Sequence, residues 1–280
     1  MVQPCRTKIV FSDMDGTLLN SQKEVSSVTW RALDCLADAG VAFVPCSGRA
    51  LAGIPSGLVS HPATRFVVAA NGASIFEIAE GKATCIRHET MDPAEVLEIH
   101  DLVRDTDDYF DFFVDGTIYV ERRRYELLSR YVPDKPMLAY MRSVRTPIDD
   151  DTAVRLFSSP NGVEKVSIFC DGDFTHAQMM DYLAHHDDFA CLSSYNDNME
   201  ITRATATKGH ALGLICEREG IDVSSSVAFG DAMNDSTMLV AAGDGIAMEN
   251  ASEEVKDLAD HVTDTNDNNG VARYLFSLLG

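Results

Sequence analysis

The sequence predicts an α/β protein in which a doubly wound parallel sheet is interrupted by an α+β insert. Short apolar runs alternate with helical patterns toward both ends of the chain, whereas the middle shows hairpin patterning. Alternating strands and helices place helices on both faces of a parallel sheet, and hairpins with segregated helices are typical of an α+β unit. We therefore expect core segments at residues 1–83 and 196–280 and an insert at residues 84–195.

Five apolar runs have the length and composition of buried parallel strands. They are Lys8–Ser12, Val41–Cys46, Phe66–Ala70, Val227–Phe229 and Ile246–Met248.

Local signals mark the helices of the core. Ser26 or Ser27 can cap a helix that ends near Gly40. The segment Lys208–Glu219 has a broad apolar face and is followed by Gly220, and Ser252 precedes two acidic residues that favour the first turn of a helix.

The middle of the chain has different patterning. Asp92-Pro93 has the character of an N-cap and a first-turn proline. A two-residue Asp-Gly turn is typical of a hairpin between Phe110–Val114 and Thr117–Val120. We also predict strands at Val163–Cys170 and Ala190–Ser194 and a helix at Ala177–His185 between them.

Composition excludes several classes of protein. The 280 residues are 45% hydrophobic and carry a formal net charge of −21, which disfavours binding to nucleic acid or to anionic membranes. No apolar run approaches the ~20 residues of a membrane helix, and the N-terminus does not resemble a signal peptide. The seven scattered cysteines form no CxxC pair, which argues against a disulfide framework or a structural zinc site. We expect a soluble cytoplasmic protein, with a monomer as the default.

The clearest chemical signal is an acid pair, Asp13 and Asp15, directly after the first strand. In open α/β sheets, ligands bind beyond the carboxyl ends of the strands. One carboxylate can stay ionised beside a metal and attack phosphorus, while the other, if held protonated, can donate a proton to the leaving oxygen. A calcium loop would need glycine at Leu18, and a solvated turn remains the simpler alternative.

Polar residues also follow two other strands. Ser47 and Gly48 offer a hydroxyl and an amide to phosphate oxygens, although Ser-Gly is also a common turn. Asp231 is a candidate ligand for a hard cation, with Asn234 and Asp235 close behind it, although an Asx turn that caps a helix gives the same pattern. Lys208 begins a helix, where its charge opposes the helix dipole, so it is either a surface lysine or the partner of an anion.

These motifs, in this order, resemble the haloacid dehalogenase-like superfamily. The residues Asp13 to Thr17 match the first motif, Ser47 the second, Lys208 the third, and Gly230-Asp231 with Asn234-Asp235 the fourth. Finer features resemble the Cof-type phosphatases, which carry a large α+β cap of the C2B type. These features are Asn71-Gly72-Ala73, Glu200-Ile201, and Asn266 to Gly270-Val271.

The resemblance implies a Rossmann-like core with an inserted cap, and a role for each motif residue. Asp13 would be the nucleophile and a Mg²⁺ ligand, and Asp15 would be the general acid, with its backbone carbonyl on the metal. Asp231 would be a further ligand, and Asp235 would order the metal shell. Ser47, Lys208 and Asn234 would contact the transferring phosphoryl group.

The implied function is hydrolysis of small phosphorylated metabolites, with sugar phosphates first and flavin mononucleotide or pyridoxal phosphate as further candidates. A phosphosugar mutase on the same scaffold and a low-turnover phosphosugar-binding regulatory protein remain alternatives. We expect the insert to select the substrate. Within it, Arg122–Arg124 either bind a second anion or form a solvated surface, and we expect the acidic cluster Asp105–Asp111 to be a solvated loop.

Overall fold

The structure, a computed structural model, describes residues 7–193 and 198–279. It divides into two compact units. The first unit contains Met1–Ser47, Ile54–Ile86 and Thr207–Gly280, and the second contains Gly48–Gly53 and Arg87–Ala206. The insert boundaries 84 and 195 stay a prediction, and residue 195 lies outside the described residues.

The helices and strands follow one another along the chain as follows: β1 (Ile9–Asp13), α1 (Ser27–Asp38), β2 (Ala42–Cys46), α2 (Ser56–Val59), β3 (Phe66–Ala69), β4 (Ser74–Ala79), β5 (Lys82–His88), α3 (Pro93–Val103), β6 (Tyr109–Val114), β7 (Thr117–Glu121), α4 (Arg122–Tyr125), α5 (Leu128–Tyr131), α6 (Lys135–Ser143), β8 (Arg145–Ile148), α7 (Asp150–Phe157), β9 (Lys165–Phe169), α8 (Asp173–Ala184), β10 (Phe189–Leu192), β11 (Met199–Arg203), α9 (Lys208–Glu219), β12 (Ser226–Gly230), α10 (Ser236–Ala241), β13 (Asp244–Met248), α11 (Glu253–Lys256), β14 (His261–Thr263) and α12 (Gly270–Leu279).

The sheet of the first unit has the strand order β14-β13-β12-β1-β2-β3-β4-β5. Strand β1 lies between β2 and β12 and is parallel to both, with Asp13 opposite Cys46 and Ser12 opposite Phe229. All five strands predicted for the core are present, with ends shifted by one or two residues. The carboxyl ends of β1, β2 and β12 therefore meet at one edge of the sheet, as the acid motifs require.

The sequence did not predict the hairpin of β4 and β5 at the other end of this sheet. Strand β3 pairs antiparallel with β4, so the sheet is not purely parallel. Most residues of β5 are exposed or half-buried. A strand at a sheet edge needs no continuous apolar run, so the pattern that revealed the buried strands is absent here.

The structure contains the helix caps and terminating glycines that the sequence predicts. Ser26 caps α1 by accepting a hydrogen bond from the Thr29 amide, and Gly40 follows with a left-handed φ of 68°. Thr207 caps α9 through the amide of His210, and Gly220 ends the helix with a φ of 63°. These caps place Lys208 in the first turn of α9.

The second unit contains a six-stranded sheet in the order β10-β11-β9-β6-β7-β8. The predicted hairpin is confirmed: β6 and β7 are antiparallel, and Asp115 and Gly116 both have positive φ. One face of the sheet, with Phe110, Phe112 and Ile168, is buried in an apolar core with residues of α3, α7 and α8. The predicted strand Ala190–Ser194 corresponds to β10, and Ser194 lies outside the described residues.

Two expectations for this unit were wrong in part. Asp108 and Asp111 are buried rather than solvated, and Asp111 lies within β6 beside Arg145. Arg124 is also fully buried, where it pairs with Glu121 and donates to the carbonyls of Val103 and Asp108. Alternation along β6 places Asp111 on the face opposite Phe110 and Phe112, where it contacts Tyr109 and Arg145. The long Arg124 side chain reaches the Val103 carbonyl at the end of α3 and the Asp108 carbonyl just before β6.

Among the residues that the structure describes, no helix combines the length and the apolar character needed to cross a membrane.

Candidate active site

Asp13 and Lys208 meet at the carboxyl edge of the first unit's sheet. Asp13 is the last residue of β1 and Lys208 the first residue of α9, and the Lys208 Nζ donates to Asp13 Oδ1 over 2.5 Å. The same ammonium donates to Asp235 Oδ1 over 2.6 Å. All three side chains are buried. The structure thus brings together residues separated by 195 positions in the sequence.

Asp231 completes a group of three carboxylates. It follows β12 and accepts a hydrogen bond of 2.7 Å from the Thr17 hydroxyl. Oxygens of Asp13, Asp231 and Asp235 all lie within 4.8 Å of one another. The second oxygen of Asp235 accepts the amides of Asp231 and Ala232, so Asp235 also shapes the loop that carries Asp231.

The electrostatics of this group are unusual. Burial and the neighbouring Asp235 carboxylate raise the pKa of Asp13 well above its ordinary value. Burial, opposed by the Thr17 hydrogen bond, raises the pKa of Asp231 to about 6. Burial alone would lower the pKa of Lys208, but Asp13 and Asp235 reverse this effect and raise it. The lysine therefore stays charged, and three carboxyl groups lie beside this one ammonium.

This arrangement fits a hard divalent cation. Carboxylate oxygens are the ligands that Mg²⁺ and Ca²⁺ prefer. Within the described part of the chain, these three acids form the group of His, Cys, Asp or Glu side chains that could hold a metal ion. A cation there would offset the burial and the repulsion between carboxylates that raise the pKa values of Asp13 and Asp231.

Two glycines allow segments of the site to pack closely against one another. Gly16 has a φ of 85°, and a Cβ at this position would collide with the Asp231 carboxylate. Gly72 has a φ of 108°, and a Cβ there would lie 2.5 Å from the carbonyl oxygen of Thr207, the cap of α9. Both positions need glycine because the backbone is left-handed and another segment passes close by.

Ser47, Asn71 and Asn234 form a connected polar border. The backbone amide of Asn71 donates to the backbone carbonyl of Ser47 over 3.0 Å, and the side-chain amide of Asn234 donates to Asn71 Oδ1 over 3.2 Å. Ser47 and Asn71 are buried. The structure places Ser47 directly after β2, and the phosphate contacts of Ser47 and Asn234 stay a prediction.

Gly48 and Asp15 occupy different surroundings from these residues. Gly48 belongs to the second unit, where its carbonyl accepts a 2.7 Å hydrogen bond from Lys165. The Asp15 side chain lies outside the three-carboxylate group and pairs with Lys23 over 2.8 Å. A metal contact was predicted for the Asp15 carbonyl rather than its carboxylate, and it stays a prediction, as does the phosphate contact of Gly48.

Sequence reasoning missed two contacts at the site. Thr17 belongs to the quoted first motif, but its hydrogen bond to Asp231 was not foreseen. The pairing of Lys23 with Asp15 had no local signal, because it depends on a turn that returns toward the acid pair.

An α/β sheet with clustered carboxylates and a buried lysine at its carboxyl edge is typical of enzymes that bind their ligands beyond the ends of parallel strands. The profile of the haloacid dehalogenase-like hydrolases matches residues 10–275, so the chain belongs to that family. It is 30% identical to phosphatase YwpJ of Bacillus subtilis, over 97% of this chain and all of that protein.

Two further comparisons agree. The chain is 29% identical to the 5-amino-6-(5-phospho-D-ribitylamino)uracil phosphatase YwtE of Bacillus subtilis, over 97% of this chain and 98% of that protein. The solved structure of a haloacid dehalogenase-like hydrolase from B. subtilis matches with a TM-score of 0.83 and 29% identity, covering 96% of this chain and 99% of the other. The expected family and fold are therefore confirmed.

Proposed function

We propose that the protein is a magnesium-dependent phosphatase that hydrolyses small phosphorylated metabolites through a phospho-aspartate on Asp13. The observation that carries this proposal is the placement of the Asp13 carboxylate at the end of β1, between the Lys208 ammonium and two further carboxylates. Phosphoryl transfer requires little from a protein beyond positioning and charge neutralisation, and this group of residues can supply both.

Three side chains have separate roles in the proposed reaction. One Asp13 oxygen attacks phosphorus, the bond from phosphorus to the leaving oxygen breaks, and Asp15 donates a proton to that oxygen. Asp15 then takes a proton from the water that attacks the phospho-aspartate and releases inorganic phosphate. Lys208, buried and charged, offsets the negative charge of the phosphoryl group.

Asp13, Asp231 and the loop ordered by Asp235 would hold Mg²⁺, together with the Asp15 carbonyl. The cation would supply positive charge to the phosphoryl oxygens and would keep the Asp13 carboxylate ionised. This contribution matters because the net charge of the chain is −21, which repels a phosphorylated substrate at long range.

The names of the relatives support a substrate class for this proposal. Phosphatase YwtE is named for a phosphorylated ribityl compound, and sugar phosphates and related phosphorylated polyols fit this proposal best. Flavin mononucleotide and pyridoxal phosphate are further candidates, the latter because the pyridoxal phosphate phosphatase YbhA of Escherichia coli is 24% identical to this chain.

The test is phosphate release with Mg²⁺ present from a panel of phosphorylated metabolites and p-nitrophenyl phosphate. Asp13→Asn should lower kcat by about 10⁴-fold or more, because the amide cannot act as the nucleophile. Asp38→Asn changes an exposed acid near the end of α1 and serves as the matched control. Full activity in Asp13→Asn, or equal losses in both variants, would contradict the proposal.

A further inference from the structure

Lys23 contacts the carboxylate to which we assign proton transfer. Its Nζ donates to Asp15 Oδ1 over 2.8 Å, and each side chain is 38% exposed. The two residues are eight positions apart, so the chain must turn back on itself to bring them together.

The turn that carries Lys23 is closed by several hydrogen bonds. The Asn20 side chain accepts the amides of Gln22 and Glu24, and the Asn20 carbonyl accepts the amide of Lys23. Lys23 itself has a left-handed φ of 62°. A lysine in this region of backbone space is strained, and it persists only where the surroundings determine its conformation.

A second segment of the first unit holds this turn from outside. Asn266 donates to the Leu19 carbonyl over 2.9 Å, and both oxygens of Asp267 accept hydrogen bonds from Ser21, one from its amide and one from its hydroxyl. Asn250 donates to the Gly16 carbonyl over 2.8 Å and accepts the Asn266 amide. Asn250, Asn266 and Asp267, here called the brace, therefore fix the chain on either side of Lys23 and Asp15.

Stability does not explain this arrangement. An exposed ion pair contributes little to folding, and backbone strain at a residue other than glycine costs at least as much. Lys23 is strained, is held in place by hydrogen bonds from other segments, and places its ammonium on a functional carboxylate. This combination indicates that the contact between Lys23 and Asp15 serves the function of the site rather than the stability of the fold.

We propose that Lys23 is a positioning residue that holds the Asp15 carboxylate in the orientation required for proton transfer to the leaving oxygen. Fixing Oδ1 restricts rotation of the carboxylate about its Cβ–Cγ bond, and a small misplacement of a catalytic group slows the chemical step strongly. This role rests on the proposed phosphatase function.

The leaving group provides the test. A p-nitrophenolate ion leaves readily without a proton, whereas the alkoxide of glycerol 3-phosphate needs one. In Lys23→Met, kcat/KM, which reports formation of the phospho-aspartate and departure of the leaving group, should fall about 100-fold on glycerol 3-phosphate but less than about threefold on p-nitrophenyl phosphate. Lys23→Arg, which keeps the cation, should recover most of the loss on glycerol 3-phosphate.

Lys82→Met removes an exposed lysine at the β4–β5 turn and controls for loss of a surface charge. Equal losses of kcat/KM on the two substrates, or wild-type kinetics in Lys23→Met, would each overturn the role of Lys23. An inactive wild-type protein in the presence of Mg²⁺ would overturn the proposed function, and this role with it, and is recognised before any variant is assayed. Thermal unfolding of each variant shows whether a loss reflects misfolding.

Discussion

The two units bury charge in different ways. In the first unit, the carboxylates of Asp13, Asp231 and Asp235 gather around one ammonium, that of Lys208. In the second unit, three of the buried carboxylates each pair with a cation: Glu121 with Arg124, Asp111 with Arg145, and Glu200 with Lys165. A further buried carboxylate, Asp108, accepts hydrogen bonds from Thr106 and the Asp171 amide.

This difference in charge balance distinguishes a candidate ligand-binding site from structural ion pairs. Where buried charges balance, the pairs hold the fold together, and breaking one strands a charge in the interior. Where they do not balance, the protein accepts an energetic cost that a ligand of opposite charge can remove. The pKa values agree with this contrast. Hydrogen bonds from His100 and Arg124, acting against burial, lower the pKa of Glu121 to about 2, whereas the pKa of Asp231 is raised to about 6.

The largest effect on stability is expected in the second unit. Glu121→Gln leaves the buried Arg124 guanidinium without its carboxylate, and the free energy of unfolding should fall by about 3–5 kcal/mol in urea denaturation at pH 7. Because the folded-state pKa of Glu121 is depressed, its contribution is present above its ordinary pKa of 4.5 and is lost as the pH falls toward 2.

The matched control for this variant is Glu77→Gln, which breaks an exposed pair with Arg218 in the first unit. It should change stability by less than about 0.5 kcal/mol. Similar small changes in both variants would show that the buried pair of the second unit is not structural.

A smaller effect of opposite sign is expected in the first unit. Without divalent cations, Asp231→Asn should be more stable than the wild type at pH 7, by about 1–3 kcal/mol. The folded-state pKa of Asp231 is raised from 3.8 to about 6, so the wild type binds this proton more tightly when folded. Its stabilising contribution is complete below pH 3.8 and is lost as the pH rises through 6.

The advantage of the variant should therefore grow across that pH window. Urea denaturation at pH 4 and pH 7, with a chelator present, measures the difference. An Asp231→Asn protein that is less stable than the wild type at pH 7 would mean that the cluster is a balanced structural element.

The sequence predicted the first unit better than the second for a physical reason. Buried parallel strands need continuous apolar runs, and catalytic residues must follow their carboxyl ends, so β1, β2 and β12 predicted both the fold and the site. In the second unit, the helices from α4 to α6 and strand β8 lacked such runs. The burial of Arg124 depends on carbonyls more than fifteen residues away, which no local pattern encodes.

Within the site, the sequence indicated which residues gather but not their contacts. Asp13, Lys208, Asp231 and Asp235 were predicted from their positions after strands or at the start of a helix, and the structure brings them together. The bonds from Thr17 to Asp231 and from Lys23 to Asp15 depend on the path of the loop after β1. That path is set by the brace of Asn250, Asn266 and Asp267, which lies more than 200 residues further along the chain.

The measurement that tests the contrast most directly is the unfolding temperature at pH 7 as Mg²⁺ is added to the wild type and to Asp231→Asn. A ligand that binds only the folded state stabilises it by about 2.7 kcal/mol at 100 times its Kd. The unfolding temperature of the wild type should therefore rise with Mg²⁺ concentration, and that of the variant should rise much less. No rise in the wild type, or equal rises in both proteins, would contradict the claim that the unbalanced carboxylates of the first unit form a metal site.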